Sequence, residues 1–135
     1  MSEDQSFSQF CVYTIVRTQK LDDVYNRGGS GGFTENKVWA FGSKLVIDAK
    51  KKGMRVPIIF GAAEDDSPKG LIYHAVLESV ETDSSASTTE YKFSGLKPID
   101  GIVPLSSLKL KSKNQPLSND YIRPYAICYT PSFID

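Results

Sequence analysis

The sequence predicts a single α+β domain, mainly β, with mixed and mostly antiparallel strands and one principal helix. Two observations carry this reading. Arg55 to Phe60 is an apolar run too short for a helix that stops at Gly61, and Leu71 to Glu81 is β-branched and aromatic. The pair reads as a central hairpin closed by an acidic loop. Between about Glu35 and Lys52, by contrast, Val38, Phe41, Gly42, Leu45, Val46 and Ala49 recur at helical spacing.

At 135 residues the chain is one ordinary domain, able to bury a core without disulfides or metals, with residues 1–9 as a polar, flexible start. Its 16 basic and 16 acidic side chains cancel. No global field therefore draws the protein to nucleic acid or membrane, and any polyanion site must be local. Cys11 and Cys128 sit in apolar runs near opposite ends, without metal-site spacing, which predicts buried free thiols. With a single histidine beside them, they supply too few ligands for a metal, so a cofactor-free protein is expected. The N-terminus lacks a basic stretch followed by an apolar one, and no run approaches a membrane span, so the expectation is a soluble, cytoplasmic protein.

Taken in order, Phe10 to Thr18 alternates as a strand with neither side plainly polar, which places it inside the sheet. Gln19 to Phe33 holds four glycines in NRGGSGGF and no apolar period; it reads as a mobile loop and matches neither the Walker nor the Rossmann spacing. Thr34 or Asn36 is positioned to cap the helix, and Lys50 to Lys52 followed by Gly53 stops it. Cations suit the negative helix end, and glycine accepts left-handed geometry. Val38, Phe41, Leu45 and Val46 are expected on the sheet. Trp39, beside that stripe, is either core or the wall of a cleft.

Glu64, Asp65 and Asp66 lack the alternating ligands of an EF-hand and read as a solvated turn. In the second hairpin strand Tyr73, Ala75 and Leu77 share one face, and Ile72, His74, Val76, Glu78 and Val80 the other. Residues 82–89 form a polar linker, Glu90 to Phe93 a further strand ending at Gly95, and Leu96 to Pro104 an irregular crossing with two prolines. Lys109, Lys111 and Lys113 alternate as a basic stripe along a short strand, which either guards a sheet edge or meets phosphate. Tyr121 to Tyr129 closes the sheet, bent or edge-placed at Pro124.

This order of elements, with the helix-to-strand run FGSKLVIDAKKKGMRVPIIFG and the strand LIYHAVLESVE, resembles the PUA-like superfamily over residues 10 to 129, and within it the ASCH and EVE domains. The resemblance implies a small pseudo-barrel of roughly five to seven strands, plugged by a helix, with a side pocket for a nucleobase. It implies a domain that binds nucleic acid or a modified nucleobase. The alternatives are a small amidohydrolase acting on modified nucleosides and a protein-interaction domain without catalysis.

If so, the base pocket lies between the helix start, the Gly28 to Gly32 loop and the central hairpin. Trp39 and Tyr73 are its π-faces, and Ser43 and His74 its polar readers. Phe33, Asn36 and Tyr125 are further stacking or polar material. Lys109, Lys111, Lys113 and Arg123 are expected to hold the nucleic-acid backbone. The amidohydrolase branch uses a Lys, a Thr and a Glu, to which Lys44, Ser43 and Glu78 correspond loosely, Ser standing for Thr. No catalytic residue is assigned on that basis. By its own pattern His74 reads first as a buried, hydrogen-bonded strand histidine, and second as a pocket or proton-transfer group.

Overall fold

The computed structural model describes residues 6–62, 71–103, 107–111, 115–116, 125–131 and 134. The elements are β1 (Phe10–Val16), α1 (Thr18–Asn26), β2 (Gly31–Glu35), α2 (Ala40–Lys51), β3 (Val56–Ala62), β4 (Leu71–Asp83), β5 (Thr88–Val103) and β6 (Tyr125–Tyr129). The six strands form one sheet in the order β2-β5-β4-β3-β1-β6. β1 and β3 pair in parallel and the other neighbours are antiparallel. The fold is therefore α+β, mainly β, and mixed. Among the described residues the sheet does not close into a barrel. β2 pairs with β5 at one edge and β6 with β1 at the other, and the strands between hold these edges apart.

Strand alternation divides the core between two faces. Val12 and Val16 of β1, Ile58 and Phe60 of β3, Ala75 and Leu77 of β4, and Tyr91 and Phe93 of β5 meet Leu21 and Val24 of α1 and Val46 and Ala49 of α2. Both helices thus cover the same face. On the reverse face Cys11, Tyr13, Ile59, Leu71, Leu108, Ala126 and Cys128 form a second cluster. The expected hairpin is β3 with β4, and its expected face of Tyr73, Ala75 and Leu77 is the helix-covered one. Cys11 and Cys128, distant in sequence, are register partners across β1 and β6; both are free and buried.

Three expectations need correction. The first part of the expected Gln19 to Phe33 loop belongs to α1, whose buried residues are only Leu21 and Val24, too sparse a stripe to show as a period. Two of its glycines end that helix: Gly29 N–H donates to the Val24 carbonyl at 2.9 Å and Gly28 N–H to that of Tyr25 at 3.3 Å, with φ of 85° and 113°. This is a Schellman stop, which glycine suits because it tolerates positive φ. The principal helix begins at Ala40 rather than Glu35, because Gly31–Glu35 is a strand paired with β5 and neither Thr34 nor Asn36 caps it. Its end is as expected, with Gly53 at φ 69° and Met54 N–H bonded to the Ala49 carbonyl. Finally, the supposed crossing at Leu96 to Pro104 continues β5 as far as Val103, register shifts along the β4–β5 ladder absorbing the irregularity.

Candidate functional site

Small and apolar residues at helical spacing decide which face of α2 meets the sheet. Gly42, Val46 and Ala49 are buried, with Leu45 half-buried. Phe41, expected on the sheet, is 74% exposed. Phe41, Lys44, Asp48 and Lys52 follow one another at intervals of three or four residues and so line a single side of the helix. That side looks across to the β1–β6 end of the sheet. There a cleft of about 920 Å³ opens, bounded by α2 on one side and by Phe10, Met54, Leu110, Lys111 and Ile127 on the other.

Backbone pairing positions the opposite wall. Lys111 N–H donates to the Ile127 carbonyl at 3.0 Å and Tyr129 N–H to the Lys109 carbonyl at 2.9 Å, so residues 109–111 run along the outer side of β6. The Lys111 ammonium then sits 4.6 Å from the centroid of Phe10, a cation over an aromatic face. The other side of this aromatic pair is Tyr129, its ring 5.1 Å from Phe10.

Charge in the cleft is one-sided. Among the described residues, Lys37, Lys44, Lys52 and Lys111 line it against the carboxylate of Asp48, in a chain whose formal net charge is zero. Asp48 lies 3.9 Å from Lys44 in an exposed i,i+4 pair, and such pairs contribute little. Surplus positive charge thus surrounds an apolar floor and an exposed aromatic ring.

Sequence comparison finds no matching family model and no matching curated protein. No helix among the described residues is long and apolar enough to cross a membrane. Nor do those residues group three or more His, Cys, Asp or Glu side chains for a metal.

The residues expected to form a base pocket are placed apart. Trp39 is 1% exposed and stacks on Tyr91 at 4.5 Å and 19°, inside the core, so neither of its faces meets solvent. Tyr73 is buried beneath α1, its hydroxyl donating to Asp22 at 2.6 Å; burial and this bond push its pKa up to about 12. His74 points to the reverse face, half-buried, paired in register with Ile59 and Lys97. Burial, and then the Lys97 charge, hold its pKa below the ordinary value. Ser43 is half-buried on α2. Gly31 and Gly32 belong to β2, and Phe33 packs on Tyr91 and Phe93, so these residues do not form a loop over the helix start.

The loose Lys44, Ser43 and Glu78 set is divided by the sheet. Lys44 lines the cleft. Glu78, exposed and on the face opposite Leu77, accepts a short hydrogen bond from the Ser94 hydroxyl. Lys109 is exposed beside Lys111, whereas Lys113 and Arg123 lie outside the described residues, as do Glu64, Asp65 and Asp66. The cleft residues that pattern reading missed are Phe10, Lys37 and Phe41, while Lys52 reads first as part of the helix stop and only second as a phosphate contact. The periodicity of Phe41, Lys44, Asp48 and Lys52 was the available signal, masked because Phe41 also fits the apolar stripe.

Proposed function

We propose that this chain is a cytoplasmic domain that binds nucleic acid or a modified nucleobase, without catalysis of its own, at the cleft between α2 and β6. The observation that carries this reading is the exposed Phe41 ring within a cleft whose described lining bears four lysines and one aspartate in a neutral chain. Lysines supply backbone contacts and an aromatic face supplies stacking, which are the two elements of nucleic-acid binding that needs no base-edge code. The PUA-like character of the domain belongs to the same proposal. It rests on the helix-to-strand run FGSKLVIDAKKKGMRVPIIFG, the strand LIYHAVLESVE and helices packed against a mixed sheet.

The test is titration of fluorescently labelled short RNA and DNA, with and without modified bases, into the purified protein at several salt concentrations. Binding at low salt is expected, with log K falling linearly against log salt. Each of Lys44→Gln and Lys111→Gln should weaken binding and reduce the slope by about 0.7 to 0.9, the contribution of one phosphate contact. Absence of binding at low salt, or binding indifferent to both substitutions, overturns the proposal.

A further inference from the structure

We infer that the cleft takes a single strand, not a duplex, with an unpaired base lying on the ring of Phe41; this rests on the nucleic-acid reading above. Two large aromatics border the cleft, and they differ in availability. Phe10 is half-buried and already contacted by the Lys111 ammonium and the Tyr129 ring. Phe41 is 74% exposed in the first turn of α2, and the core is built without it. A duplex keeps its bases in the stack and presents phosphates and groove edges, so it can use the lysines but gains nothing from a flat exposed ring. An unpaired base gains both, since every base has a π-face.

The cations are placed to suit a strand passing that ring. Lys44 in α2 and Lys52 at its C-cap are eight residues apart, roughly 12 Å along the helix axis. Lys111 faces them across the cleft. Backbone phosphates on these lysines would run lengthwise along the cleft, with Phe41 at one end of the row. The cleft is a concavity bounded on one side by α2 and on the other by residues 110–111.

The experiment compares three probes of about ten nucleotides, the scale of a single-strand site: a pyrimidine single strand, the same sequence as a duplex, and an abasic strand that keeps the phosphates and lacks the bases. The single strand should bind tightest, with the abasic strand about ten-fold weaker. Phe41→Ala should cost about ten-fold on the single strand and nothing on the abasic strand, while Phe41→Tyr restores binding; circular dichroism confirms that both variants fold. If the duplex binds as tightly as the single strand, or the abasic strand matches the intact one, this inference fails while the nucleic-acid reading stands. If none of the probes binds at low salt, both fail.

Discussion

The hydroxyl of Thr89 holds the entry to α2 by bonding to both ends of one short segment: it accepts from Trp39 N–H at 2.9 Å and donates to the Lys37 carbonyl at 2.6 Å. Thr89 is fully buried in β5. A strand side chain thereby satisfies the N–H of the N-cap residue itself, as an N3 Glu or Gln does in a capping box, and Trp39 has no side-chain cap of its own. Thr89→Val keeps the shape and removes both bonds, leaving a buried N–H without this partner. A loss of about 1–3 kcal/mol is expected, read as a lower urea midpoint with unchanged m-value. An unchanged midpoint would show that water or another group replaces the hydroxyl.

Trp39 and Phe41, two residues apart, should respond in opposite ways. Trp39→Ala removes a buried ring stacked on Tyr91 and is expected to cost about 3–5 kcal/mol. Phe41→Ala, on an exposed ring, should stay within about 0.5 kcal/mol. Chemical denaturation of the two variants checks this. A large loss for Phe41→Ala would mean that the ring packs somewhere unseen in this fold.

Gly32 is required for close approach, not for loop motion. A Cβ placed there would stand 2.5 Å from the Tyr91 carbonyl oxygen, a backbone atom that cannot rotate away. Gly32→Ala should therefore part β2 from β5 or strain their pairing, at a cost of about 1–3 kcal/mol. Amide hydrogen exchange should show faster exchange along Gly31–Glu35 than in the parent protein. Equal protection would be incompatible with this packing.

Two half-buried groups give opposite pH dependence. His74 has a lowered pKa from burial and Lys97, so the unfolded chain takes up the proton first. Stability present above about 6.5 is then lost as pH falls through the interval down to the folded pKa, and His74→Gln should remove that part of the loss. Glu35 has a raised pKa, chiefly from burial and partly offset by Lys20. Its contribution is present below about 4.5 and lost as pH rises through the folded value. Glu35→Gln should raise Tm at neutral pH, with the gain vanishing below that range; a gain at pH 4 as large as at pH 7 would exclude this account.

Strand alternation was legible in the sequence because it is a property of the backbone: a repeat of two puts Tyr73, Ala75 and Leu77 on one side wherever β4 goes. The same holds for the end of α2, where lysines and then Gly53 satisfy the helix terminus locally. Nothing local could say that Gly31–Glu35 would be claimed by β5, and that pairing, with Thr89, moved the helix start to Ala40. Packing of the Gly42, Val46 and Ala49 face on the sheet leaves Phe41 exposed and Lys44 and Lys52 facing a stretch of sheet beside β6, while Trp39 before the helix is buried. The pairing of Cys11 with Cys128 and the cleft itself likewise join residues more than a hundred positions apart in places. Such juxtapositions arise from the order of strands in the sheet, to which the sequence pattern of any one strand is blind.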